Sequence, residues 1–109
     1  MGTFAVGEVV LVAFPYADFS RFKKRPALVI GRAEFDNFIL CQITSKAETS
    51  KKAIPLADND FIVGGLNLDS FIRPDKIFTV EKSVIENKAG RLQAVKMERV
   101  KLRVRQLFA

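Results

Sequence analysis

Three runs of apolar, largely β-branched residues mark the first half of the chain: GEVVLVAF (Gly7 to Phe14), RPALVIG (Arg25 to Gly31) and FILCQIT (Phe38 to Thr44). Their length and composition predict β-strands. PYADFSRFKK (Pro15 to Lys24) separates the first two and is too long and polar for a tight hairpin, so it predicts a projecting loop. Asp36-Asn37 supplies turn chemistry before the third strand. After the polar stretch SKAETSKK comes AIPL, a short strand whose Pro55 points to a sheet edge, because proline cannot donate to a ladder. DNDFIVGGL then turns the chain. DSFIRPDKIFTV (Asp69 to Val80) holds two strand-like pieces, Ser70 to Ile72 and Lys76 to Val80, hinged at Arg73-Pro74-Asp75. From Ala94 onward, Ala94, Met97, Val100, Val104, Leu107 and Phe108 share one helical face. Val100, Leu102 and Val104 also alternate as a strand would, yet the segment is long and free of glycine and proline, which favours a helix. The pattern reads as mainly β with a C-terminal helix, one domain over residues 1–109.

Composition narrows the chemistry. With 109 residues, 49% of them hydrophobic, there is material for one packed core. The formal charge is +6, which suits a polyanionic or acidic partner. There is no histidine and one cysteine, so Ser-His-Asp and Cys-His nucleophile systems, paired-histidine ribonuclease sites and ordinary zinc sites lack their parts. Asp58, Asn59 and Asp60 begin like a calcium loop but lack its glycine and closing glutamate, and Gly64-Gly65 lacks the Lys-Ser/Thr of a phosphate loop. No cofactor or metal is expected. Cys41 lies in an apolar strand and reads as a buried inert thiol, compatible with a reducing compartment. No stretch of 18 apolar residues predicts a membrane span, Val9 to Phe14 lacks the flanks of a signal peptide, and Val6 occupies the place of a myristoylation Ser or Thr. The cytoplasm is the expected location.

The positive charge is concentrated in two places. Arg21, Lys23, Lys24 and Arg25 close the first loop with Phe19 and Phe22 interleaved, a combination suited to single-stranded nucleic acid, where bases stack on aromatic rings. The plainer alternative has both Phe side chains folding back over an open barrel end. The second concentration, Arg91 to Arg105, reads foremost as the solvated face of the helix. The reactive inventory of Arg, Lys, Asp, Glu, Ser and Thr suits phosphate chemistry. RNA carries its own nucleophile, and arginine can stabilise charge accumulating on a phosphorane.

GEVVLVAFP, KKRPALVIG, CQITSK, GGLNLDSFIRPDKIFTVEKS and a closing GRL before the helix together resemble the MazF/PemK family of toxin endoribonucleases in order and spacing, over roughly residues 6–108. The resemblance implies an SH3-like β-barrel of the CcdB/MazF type, a homodimer, metal-independent cleavage of single-stranded mRNA and inhibition by an acidic antitoxin. It maps the family's Arg-Pro onto Arg25-Pro26 and its Ile-Thr onto Ile43-Thr44. Arg25 would stabilise the phosphorane, and Thr44, with Ser45 beside it, would bind the scissile phosphate or the 2′-hydroxyl. An Arg-x-Asp element with acid and base roles in some members matches Arg73 and Asp75. RNA contacts are expected from Phe19, Arg21, Phe22, Lys23, Lys24, Ser45, Lys46 and Ser70. The first loop departs from the pattern of many members, and Phe78-Thr79 replaces an Arg-Thr pair, so the cleaved sequence is not implied. Two alternatives stand beside this reading: a gyrase-binding toxin on the same fold, whose Trp-Gly-Ile tail is absent here, and a basic barrel that binds RNA without cutting it.

Overall fold

The computed structural model describes residues 3–15, 22–46 and 50–109, with the backbone alone at 14, 15, 22 and 23. The three apolar runs become adjacent antiparallel strands, β1 (Glu8–Pro15), β2 (Phe22–Arg32) and β3 (Asn37–Thr44), in the middle of the sheet. They are followed by β4 (Ile54–Leu56), β5 (Phe61–Gly64), β6 (Ser70–Glu81), β7 (Ile85–Leu92) and the helix α1 (Ala94–Gln106). All seven strands form one curled antiparallel sheet in the order β4-β6-β3-β2-β1-β7-β5. Pro55 does place β4 at an edge.

Alternation along the central strands splits the core between the two faces of the sheet. Val9, Leu28, Cys41, Ile43, Ile54 and Ile72 pack on one face with Met97 and Val100 of α1. Val10, Val12, Ala27, Val29, Phe38 and Leu40 fill the other with Ile85. Phe4 meets Phe38 edge to face there, with ring centroids 5.6 Å apart.

Four local expectations are corrected. The first loop is shorter than Pro15 to Lys24, because β1 and β2 continue their ladder to Pro15↔Phe22 and leave only residues 16–21 between them. The DNDFIVGGL segment is more than a turn: a 3-10 turn at Asp58–Asp60 leads into β5, which pairs with β7. Gly64 permits that crossing. Its φ is +75°, and a Cβ there would run into the Ala89 carbonyl oxygen. The two pieces read in residues 70–80 are one strand, since Arg73-Pro74-Asp75 opens a bulge and not a break; proline's missing N–H is tolerated where no ladder bond is needed. In α1, Met97 and Val100 are buried as the stripe predicts, but Ala94 and Phe108 are exposed. Lys96 is buried instead, its Nζ 3.2 Å from Asp60 Oδ2, which ties the first helical turn to the 3-10 turn.

Candidate active site

Strand register brings the basic and hydroxyl groups together. Ala27 faces Gln42 across β2 and β3, and Gln42 faces Arg73 across β3 and β6. Two residues further on each strand come Arg25 and Thr44, which line one groove, Thr44 facing Phe71 of β6. Residues two apart share a face, so Arg25, Thr44, Gln42 and Arg73 all project from the sheet face that carries Val10 and Val29. The apolar half of that face is core; its end is polar.

Arg25 and Thr44 line an open groove of about 520 Å³ together with Lys24, Ser45, Lys46 and Ser70, walled by Leu66, Asn67 and Leu68 from the β5–β6 connection. Arg25 is exposed and has no ion-pair partner among the described residues. Thr44 Oγ1 accepts the Lys46 backbone N–H at 3.2 Å, so its own O–H remains to donate. Ser45 and Lys46 are exposed at the groove's rim. Lys24 reaches Glu86 of β7 at 3.1 Å, a solvent-exposed pair of small energetic weight. Ser70 is buried, and its hydroxyl donates to the Leu68 carbonyl at 2.9 Å, which holds the wall in place. Phe19 and Arg21 lie outside the described residues, as do the side chains of Phe22 and Lys23, whose backbone belongs to β2.

Arg73 and Asp75 stand apart from the groove lining. Arg73 Nε and Nη2 donate to Asp75 Oδ1 and Oδ2, both at 2.9 Å, in a side-on pair whose Arg side chain is 10% exposed and whose Asp side chain is 30% exposed. The hydrogen bonds from Arg73 hold the Asp75 carboxyl below the ordinary aspartate range, against its desolvation, and Asp75 in turn raises Arg73. A carboxylate so held is a poor proton acceptor. Burial, with Asp75 nearby, pushes the Cys41 thiol up to about 12 and leaves it inert.

Gln42 was not singled out by the sequence reading, although a polar residue inside FILCQIT, on the same face as Thr44, was a usable signal. It lines a second hollow with Asp75, Lys76, Ile77 and Phe78. Among the described residues no cluster of three or more His, Cys, Asp or Glu side chains could hold a metal ion, and no helix is long and apolar enough to cross a membrane.

The family model of the PemK-like, MazF-like toxins of type II toxin-antitoxin systems matches residues 5–108. The chain belongs to this family. Solved structures similar to this PemK/MazF-like toxin include an endoribonuclease in complex with its cognate antitoxin from a mycobacterial species, with TM-score 0.76 at 13% identity, covering 99% of this chain and 95% of that one. A MazE-MazF complex from Deinococcus radiodurans follows with TM-score 0.73 at 21% identity, covering 94% and 93%. The toxin MazF-mt6 of Mycobacterium tuberculosis matches with TM-score 0.71 at 20% identity, covering 93% and 95%. These likenesses carry the toxin fold. No curated protein sequence matches the chain.

Proposed function

We propose that this PemK/MazF-like toxin is a sequence-specific endoribonuclease that cuts single-stranded mRNA in the cytoplasm. The ribose 2′-oxygen attacks the adjacent phosphorus, the bond to the 5′-oxygen breaks, and a 2′,3′-cyclic phosphate (or its 3′-phosphate product) and a 5′-hydroxyl result. Arg25 and Thr44, lining one groove, carry the reading: a guanidinium unpaired among the described residues and a hydroxyl with its donor to give converge where a phosphate would lie. Arg25 stabilises the charge that grows on the phosphorane, and Thr44 donates to a phosphate oxygen or orients the 2′-hydroxyl. The substrate brings the nucleophile, so positioning and electrostatics suffice without a metal ion. Water in this open groove takes the 2′ proton and returns one to the departing 5′-oxygen. The Arg73–Asp75 pair shapes the neighbouring surface; with both carboxylate oxygens accepting from Arg73 and its proton affinity lowered, Asp75 is a weak general base, and the reading leaves the proton to water.

Lys24, Lys46 and Ser45 line the path of the RNA backbone, and Phe19, Arg21, Phe22 and Lys23 are further contacts proposed from the sequence alone. The chain acts as a homodimer, and an acidic antitoxin segment covers Arg25 and its neighbouring cations, as charge permits and as solved relatives in complex with antitoxins support.

A labelled RNA with deoxyribose at the severed linkage alone tests the chemistry: cleavage at that linkage should vanish, and persistence there refutes it. Arg25→Ala should lower turnover by ~10²–10³ with the fold intact by circular dichroism. Equal rates would remove Arg25 from the mechanism. Activity lost to EDTA and restored by magnesium would overturn metal independence. An adjacently encoded small acidic protein should suppress cleavage, and failure to do so would remove the antitoxin.

A further inference from the structure

Between Gln42↔Arg73 and Cys41↔Ile77 the β3–β6 register jumps, so Pro74, Asp75 and Lys76 have no partner on β3. Asp75 and Lys76 of this bulge line a hollow of about 360 Å³ with Gln42, Ile77 and Phe78. Gln42 lies two residues from Thr44 on the same strand and face, about 7 Å along the sheet. The hollow is therefore one short step from the reacting row. Its volume lies at the small end of ligand sites, suited to a single heterocycle.

The polar groups here have directions to offer. Gln42 is half-buried, and its amide makes no hydrogen bond with the described residues, yet no buried polar atom among them is unsatisfied. Its amide atoms therefore meet solvent at the hollow. Asp75 is held in one orientation by two bonds from Arg73, and its carboxylate oxygens keep further lone pairs. It is an acceptor with a fixed aim. Phe78, which packs on the same sheet face as Gln42, supplies apolar wall for the flat face of a ring.

We propose that this hollow is a base-reading subsite, seating a nucleobase next to the scissile phosphate and selecting one with an exocyclic amino group (adenine, cytosine or guanine) over uracil. The inference rests on the ribonuclease reading of the groove. An exocyclic amine donates to Asp75. Uracil brings O4 to the same place, acceptor against acceptor, and leaves the carboxylate unpaired. The Gln42 amide presents either its donor or its acceptor to the neighbouring ring atom, so it binds any of the three amino bases without choosing among them.

Cleavage of a randomised RNA pool, with fragment ends sequenced, tests this on the intact protein. The wild type should disfavour uracil at one position within two nucleotides of the cut, by roughly 5- to 150-fold. Asp75→Asn, whose side-chain amide can donate to uracil O4, should relax that position alone and leave the selection elsewhere unchanged. Gln42→Glu should shift the same position toward guanine, the base that sets two N–H donors side by side to face two acceptors. A purely structural role for Gln42 would produce no such shift. Absence of discrimination against uracil in the wild type, or profiles of both variants matching the wild type, overturns the subsite while the ribonuclease reading stands. A wild-type protein that cuts no RNA overturns both.

Discussion

Replacing Asp75 with Asn removes one charge and one of the two acceptors that hold Arg73, and leaves a guanidinium that is 10% exposed without its carboxylate. Hydrogen bonds to charged groups contribute ~1.5–3 kcal/mol each to stability. Asp75 is itself 30% exposed and partly screened, so the cost should fall near the lower half of that range, about 2 kcal/mol. For a chain of this size that corresponds to a fall in Tm of about 8 °C. The pH dependence has a definite sign. Arg73 lowers the folded-state pKa of Asp75 below its unfolded value, so the contribution is complete above the unfolded aspartate range, near pH 4. It disappears as pH falls through the lower folded-state value. Urea denaturation followed by circular dichroism at pH 7 and about pH 2 should therefore show a gap between wild type and Asp75→Asn at neutral pH that closes in acid. A double variant, Arg73→Met with Asp75→Asn, should recover part of the loss, since no unpaired cation is left behind. Equal stabilities at pH 7, or a gap that persists undiminished in acid, would refute the pair as a stabilising element.

Thr44→Val preserves shape and removes the hydroxyl, so turnover on RNA should fall by ~10²–10³ while the melting transition changes little; a fall of less than threefold would show that the hydroxyl is not used. Gly64→Ala should cost ~2–4 kcal/mol through its positive φ and the collision with the Ala89 carbonyl, read as a lower denaturation midpoint, and a neutral substitution would contradict the tight β5–β7 crossing. Cys41, buried and with its thiol pushed up to about 12, should react with an aromatic disulfide reagent at pH 8 only as fast as the protein opens; rapid labelling of the native protein would contradict its burial.

The central strands were legible because both faces of the sheet are covered there, which gives nearly continuous apolar runs from Val9, Leu28 and Phe38 onward. β7 was not, since only Ile85 and Leu92 at its ends are buried and Glu86, Asn87 and Lys88 between them face solvent, leaving no periodic signal. β5 was hidden by Gly64-Gly65, which normally announce a turn and here permit a close crossing. The helix could be read from Met97 and Val100, but the burial of Lys96 depends on Asp60, thirty-six positions earlier, and no local pattern encodes it. The site divides in the same way. Arg25 and Thr44 were found through ordered motifs, and their shared groove follows from strand register. Gln42 matters through the three unpaired residues opposite it, which only a paired sheet makes visible.

The bulge separates two demands that usually compete within a β-strand. Pro74 is fully buried and anchors it, whereas Asp75 and Lys76 stand outward with no ladder bond to β3 at stake. Lys76 can be exchanged with the interstrand hydrogen bonds untouched, whereas a change at Asp75 also gives up its pair with Arg73, so on the proposed subsite Lys76 is the position at which selectivity can be rewritten at least cost to the scaffold.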